Sequence, residues 1–219
     1  MKSGPGGHIP MEIRDTYTVV LRGGYPLQLR MVDIARGIAI SLINCNDEPY
    51  EKIDAVVAEL TALVRPYQPD AVVGIPEQGI PLVHGVGRAL GLRRSYLLRK
   101  TPKAFDVDPL VYEYTSVTKP DVGQRLYLPR EHAQELDGKR VAIIEDVANT
   151  GMSLKAVLEL FRKAKTEWGI SITIVGIFLV LTEGYQWRET LGEDAALVHA
   201  LGHIPVFRPA SYEIIPGTE

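Results

Sequence analysis

Apolar residues recur along the chain with two spacings, one helical and one typical of buried strands. In 50–67 (YEKIDAVVAELTALVRPY) they fall at Ile53, Val56, Val57, Leu60, Leu63 and Val64, which predicts an amphipathic helix. The stretch 31–43 (MVDIARGIAISLI) is also apolar at helical spacing and predicts a second helix. A short strand is expected at 71–75 (AVVGI), followed by a turn at 76–79 and a helix over 80–90 that Gly91 can cap. The next strand is 95–99 (SYLLR), and a polar stretch follows at 100–108. Two β segments, 112–119 and 124–128, are expected on either side of the turn-rich Pro120-Asp121-Val122-Gly123. Further on come a strand at 140–145 (RVAIIE), a loop at 146–151, a helix at 153–164 and an apolar strand at 170–181. The β-branched content of that last run marks a strand buried on both faces. Strands alternating with helices predict βαβ units, hence an α/β fold with a central parallel sheet flanked by helices.

Composition narrows the class without naming a function. The chain has 219 residues, 46% hydrophobic and 23% charged, which suits one globular domain. Its 24 basic and 27 acidic side chains leave a net charge of −3, without the basic excess of nucleic-acid binders. A single cysteine, Cys45, rules out an intramolecular disulfide framework and a multi-cysteine zinc site. The longest apolar run has 12 residues, against about 20 needed to cross a bilayer. No membrane partner and a cytoplasmic location are therefore expected. Residues 1–14, rich in Gly and Pro near the start, read as a flexible leader, and 15–219 as a single domain.

The chemistry concentrates in 141–154 (VAIIEDVANTGMSL). A strand ends in two carboxylates, Glu145 and Asp146; a loop of mostly small residues follows, and then a helix begins. Ligands of open α/β sheets sit at the carboxyl ends of strands. A helix N-terminus there presents unpaired N–H groups and a positive dipole end to a phosphate. Small residues let the backbone approach, and Thr150 and Ser153 can add hydroxyl donors. The two acids suit a neighbouring cis-diol, so the segment describes a ribose 5-phosphate site. The plainer alternative is that Glu145 and Asp146 only cap the helix and the loop is an ordinary strand-to-helix turn.

This segment resembles the phosphoribosyl pyrophosphate (PRPP) motif of type I phosphoribosyltransferases, in which two acids precede a T-G-x-[ST] loop. It departs from that motif with Glu145 where Asp is usual and Met152 where a second Gly is frequent. The likeness runs over roughly 15–207. Residues 70–82 (DAVVGIPEQGIPL) look like the family's pyrophosphate loop, sometimes built on an unusual peptide geometry. Residues 96–105 (YLLRKTPKAF), 112–118 (YEYTSVT), 178–184 (FLVLTEG) and 201–207 (LGHIPVF) resemble the adenine phosphoribosyltransferase-like subgroup.

The resemblance implies the type I fold with a flap and a small hood built from N-terminal and C-terminal segments. It implies a phosphoribosyltransferase that moves ribose 5-phosphate from PRPP to a purine, adenine favoured, with release of pyrophosphate in nucleotide salvage. Ala148, Asn149, Thr150, Gly151, Met152 and Ser153 would bind the 5-phosphate. Glu77, Gln78 and Gly79, with the cations Arg99, Lys100 and Lys103, would bind pyrophosphate, whose charge grows as it leaves. Asp146 and Glu145 would act on the ribose, and Glu113 on the base. Residues 103–118 would form the flap. Mg²⁺ is the implied cofactor, held mainly by substrate oxygens rather than by a protein cage. A homodimer is implied as well. The same chemistry with hypoxanthine, guanine, xanthine or orotate stays open, as does a PRPP- or nucleotide-sensing regulator without catalysis. The five scattered arginines and lysines of the first 45 residues make no DNA-reading face.

Other signals carry less. The glycines of 85–91 lie in or near the end of a helix, not after a strand, so they are no dinucleotide fingerprint. His199 and His203 lack further metal partners, and Cys45 has no neighbouring base. Tyr185 and Trp187 follow a strand end and stand as possible base contacts.

Overall fold

The computed structural model describes residues 16–34, 38–116 and 119–219, so the expected leader at 1–14 lies outside the described residues. Three antiparallel strands come first in the described chain: β1 (Thr16–Val20), β2 (Pro26–Ile34) and β3 (Ile38–Leu42). The helix expected over 31–43 is therefore wrong. Alternation decides the matter: Ala39, Ser41 and Ile43 are buried, whereas Ile38, Ile40 and Leu42 between them are only half-buried. Val32, Ile34, Ile38 and Ile40 are β-branched and favour the extended chain. Such a short run of apolar residues fits both spacings, and cross-strand pairing of Val32 with Ile40 decides for the sheet.

Helix α1 (Tyr50–Val64) follows and buries Ile53, Val56, Val57, Leu60 and Val64. Its Glu59 accepts the backbone N–H groups of Gly23 and Tyr25 at 2.8 and 3.0 Å, fastening the β1–β2 turn to the helix. Next come β4 (Ala71–Gly74), α2 (Gly79–Ala89) and β5 (Ser95–Leu97). Gly91 follows α2 at φ +75°, the left-handed conformation that a helix exit uses. A hairpin of β6 (Leu110–Ser116) and β7 (Lys119–Leu128) leads into α3 (Arg130–Glu135). The expected turn at 120–123 is instead part of β7, and the strands flank residues 117–118, outside the described ones. Then follow β8 (Arg140–Ala148), α4 (Met152–Trp168), β9 (Thr173–Glu183), α5 (Gln186–Leu191) and β10 (Val198–Ile204).

Five of these strands pair in parallel in the order β10-β9-β8-β4-β5. Their side chains alternate between two cores. Val73, Ile143, Ile177 and Leu179 pack with Leu154, Val157, Leu160 and Phe161 of α4. Val72, Ala142, Ile144, Phe178 and Val180 pack with α1, α2 and the inner residues of β1 and β2. Both faces are thus covered, which explains why the central strands read as continuous apolar runs. Gly87 permits this closeness: a Cβ there would meet Ser95 Oγ at 2.5 Å.

The three-stranded sheet forms a hood beside the carboxyl ends of the core strands. Its β3 is tied to the C-terminal segment by paired backbone hydrogen bonds between Ala39 and Phe207, at 2.8 and 3.2 Å. Met31, Ala39 and Phe207 form a small core of their own there, with Tyr17 edge-on to Phe207.

The core is close-packed, so removing its largest side chains leaves a hole. Phe178 is fully buried, 4.9 Å from the Tyr67 ring and 5.3 Å from that of His199. Phe178→Ala is expected to lower unfolding free energy by about 3–5 kcal/mol in urea denaturation.

Candidate active site

Parallel pairing brings the ends of β4, β8 and β9 to one edge of the sheet, where a cleft of about 350 Å³ opens beneath the hood. Strand β8 runs three residues beyond the expected 140–145, because Val147 and Ala148 still pair with Leu181 and Thr182 of β9. Asp146 is therefore, like Glu145, a strand residue with fixed backbone, and not the start of the loop expected at 146–151. Gly151 then turns at φ +75°, and α4 starts at Met152. That position demands glycine twice over. The conformation is left-handed, and a Cβ would stand 3.1 Å from both Cα and Cβ of Trp187. Trp187 is buried and bonds through Nε1–H to the Gly184 carbonyl at 3.1 Å, so it backs the loop from behind.

The cleft is lined by Asn149, Thr150, Gly151, Met152 and Ser153 along the loop and first turn of α4. Ala148 is buried and does not line it. Met152 begins the helix and packs partly against the core, so its place does not require a positive φ. On the β4 side lie Ile75, Pro76, Glu77 and Gln78, with a cis peptide bond between Pro76 and Glu77. Gly79 is buried behind them; a Cβ there would press on Glu145 Oε1 and the Ile144 carbonyl at 3.2 Å, so glycine lets α2 start against the acids. Asn46 steadies this loop by donating to the Glu77 carbonyl and to Gln78 Oε1, both at 3.3 Å.

The two acids form a coupled pair. Glu145 is buried, and its Oε1 accepts the backbone N–H of Asp146 at 3.0 Å. Burial and the adjacent Asp146 charge push the Glu145 carboxyl well above its ordinary range. Burial raises half-buried Asp146 too, while hydrogen bonding from Glu145 and backbone N–H groups holds it down. Burial thus works against both acids being charged at once, and half-buried Asp146 faces the cleft. Burial above all, then the same two acids and Glu48, raises the Cys45 thiol and keeps it inert.

The three cations do not act alike. Lys100 lines the cleft and is exposed. Arg99 is turned to Asp106, Nε to Oδ2 2.9 Å, and lies over the Phe105 ring at 5.5 Å. Exposed Lys103 sits in the same loop, its backbone N–H bonded to Asp106 at 2.6 Å, and does not line the cleft. Glu113 is exposed and paired with Arg125 at 2.7 Å, on the wall of an outer hollow shared with Glu77, Lys100 and Gln124. Strand alternation explains its place: buried Tyr114 faces the cleft, and its neighbour Glu113 must face away. The part of the expected flap in β6 is packed, since Leu110 and Tyr114 join the core and Lys163 of α4 donates to the Val111 carbonyl at 3.0 Å. In 101–108, by contrast, Phe105 and Val107 stand exposed.

Several cleft residues escaped the sequence reading: Ile38, Ile40, Tyr114, Gln124, Val147 and Glu183. The first two were hidden by the helical reading of their strand. Glu183 could have been found, because it ends the strand parallel to β8. It is buried, and its Oε2 accepts a hydrogen bond from Asn149 Nδ2 at 2.5 Å. Tyr185 and Trp187 do not line the cleft; Tyr185 stacks on His203 at 4.7 Å. His199 and His203 make separate bonds, to Tyr67 and Thr182, and no group of metal-ligating side chains occurs among the described residues. No helix among them is long and apolar enough to cross a membrane.

The model of the phosphoribosyl transferase domain matches residues 45–192, and the chain belongs to that family. The match starts after the hood strands and ends beyond α5. No curated protein matches the chain in sequence. Among solved structures, adenine phosphoribosyltransferase of Thermoanaerobacter pseudethanolicus superposes with a TM-score of 0.63 at 18% identity, over 80% of this chain and 95% of that one. The Giardia lamblia enzyme complexed with 9-deazaadenine gives 0.62 at 21%, over 86% and 93%. That of Rhodothermus marinus gives 0.58 at 20%, over 86% and 94%. At these identities the likeness is one of fold, the α/β type I phosphoribosyltransferase fold with a parallel five-stranded sheet.

Burial pushes the Glu183 carboxyl from 4.5 up to about 7, against the Asn149 bond that lowers it. The native state therefore holds a proton that the unfolded chain releases, and stability falls as pH rises from about 4.5 through about 7. Glu183→Gln removes that loss. Over this window its stability relative to the unchanged protein is expected to rise by roughly 3 kcal/mol in urea denaturation.

Proposed function

We propose that the protein is a purine phosphoribosyltransferase, adenine favoured, that uses PRPP as donor and releases pyrophosphate. The observation that carries this reading is the adjacent carboxyl groups of Asp146 and Glu145 at one wall of a cleft whose other wall is the start of α4. A 17-residue helix aims its free N–H groups and positive dipole end at the Thr150–Ser153 turn, where a 5-phosphate would sit. Asp146 stands within the same cleft, where ribose hydroxyls would follow. An elongated ligand with an anion at one end and a diol next to it satisfies both walls.

In the reaction, a ring nitrogen of the base forms a bond to the anomeric carbon as the bond from that carbon to pyrophosphate oxygen breaks. The nitrogen then loses its proton. Positive charge builds on the ribose, and Asp146 favours it electrostatically. Lys100 faces the leaving pyrophosphate along with the backbone of 76–79. The carboxylate and carbonyl oxygens of this edge suit Mg²⁺, which prefers hard oxygen donors and keeps most of its water. Asp146 and Glu145 would hold it through the ribose or water, and when bound it neutralises pyrophosphate charge. Phe105 and Val107 give the exposed loop an apolar tip that can close over the ligand and exclude water. The family resemblance also supports a homodimer.

The decisive assay supplies PRPP, Mg²⁺ and a panel of bases and follows pyrophosphate. Release with adenine supports the proposal; release only with another base moves the specificity; binding of PRPP without release makes the protein a sensor. Asp146→Asn is expected to lower kcat about 100-fold while ribose 5-phosphate binding, measured by calorimetry, changes less than threefold. Lys100→Ala is expected to raise the KM for PRPP about tenfold, and Lys103→Ala to raise it less, because Lys103 lies off the cleft wall. Steady-state kinetics at varied PRPP checks the order.

A further inference from the structure

The reading as a purine phosphoribosyltransferase leaves one cleft group without a task. Glu183 ends β9 in the cleft wall, 5% exposed, and among the described residues its Oε1 has no hydrogen-bond partner. Its other oxygen is held by Asn149, from the turn that opens onto α4. A buried carboxyl with one oxygen committed and one free is costly unless a ligand completes it. The surroundings define that ligand. Ile38 and Ile40 of the hood and Val147 of β8 line the cleft with apolar surface, which suits a flat heterocycle. Among the described residues, Glu77, Glu145, Asp146 and Glu183 against the single cation Lys100 make the wall hostile to a base that carries a carboxylate of its own.

Resting on that reading, we infer that Glu183, oriented by Asn149, selects the acceptor base by taking a hydrogen bond from an exocyclic amino group of a neutral purine. An amino-bearing edge matches Oε1 in either state of the carboxyl. Ionised, the group accepts from the amine. Protonated on Oε2, it keeps Oε1 as its carbonyl oxygen, which still accepts from the amine. An oxo group in the same place faces a lone pair whenever the carboxyl is ionised. A site that satisfies a buried polar group in this way rejects analogues that leave it unpaired. Asn149 is a positioning residue here, since its amide holds Oε2 and so leaves Oε1 as the reading atom.

The test compares adenine with hypoxanthine as substrates, and adenosine with inosine 5-monophosphates as ligands, for the unchanged protein, Glu183→Gln and Glu183→Leu at pH 8. Glu183→Leu is expected to raise the KM for adenine and the Kd for the adenosine nucleotide at least tenfold, with the KM for PRPP changed less than twofold. Glu183→Gln keeps an acceptor oxygen and is expected to restore adenine to within threefold. The preference for the amino over the oxo base should collapse in the leucine variant. The inference is overturned if that preference survives, if the KM values for PRPP and base move together, or if the unchanged protein does not prefer the amino base. Failure of the transferase reading looks different: the unchanged protein then releases no pyrophosphate with any base, and the nucleotide-binding arm alone decides the role of Glu183. Thermal melts identify a variant that has lost its fold, in which case Glu183→Gln at pH 6 and 8 decides whether the preference depends on the carboxyl.

Discussion

Parallel pairing of β8 with β4 on one side and β9 on the other is the constraint from which the site follows. In a parallel sheet all the carboxyl ends emerge on one edge, so loops distant in sequence must meet there. The register then sets which residues meet: Gly74 beside Ile144 puts the Pro76–Gly79 turn against Glu145, and Thr182 beside Ala148 puts Glu183 against Asn149. A slip of one residue would turn each of these side chains to the opposite face. The two cores, packed from both faces of the sheet, forbid such a slip.

Charge in the cleft is arranged by burial as much as by residue type. In the wall of β8, burial works against both adjacent acids being charged at once. Gly79 lets the start of α2 approach Glu145, and Gly151 lets the turn before α4 lie on Trp187. Both glycines bring backbone N–H groups close to where an anion would bind. The turn before α4 therefore offers backbone to the cleft, and β8 offers carboxyl groups.

The central sheet was legible because buried parallel strands leave continuous apolar runs, as in 140–145 and 170–181, and because α1 shows six apolar positions at helical spacing. The acids and the turn after them were legible for the same reason: a strand, two carboxylates and small residues before a helix is a local pattern. The hood was not. Residues 31–43 satisfy the helical spacing and the alternating one, and only pairing with β2 and with Phe207, far away in the chain, chooses between them. Arg99 and Lys103 show a different limit. Sequence gives their charge but not their direction, and Asp106, a few residues away, draws Arg99 and the backbone of Lys103 off the cleft. Glu183 was within reach of the argument applied to β8, because the neighbouring parallel strand must end at the same edge.

The backbone clasp between Ala39 and Phe207 has a consequence for how the molecule comes together. It joins segments separated by most of the chain, and closing so long a loop is slow compared with forming neighbouring strands and helices. On the ribosome the turn at Gly151 and helix α4 are complete well before Phe207 emerges. Until then β3 has an unprotected edge, with Ile38 and Ile40 beside it, and such an edge invites pairing with other chains. Assembly thus ends where the roof over the cleft is fastened, and a chain released too early would be open to aggregation at that one place.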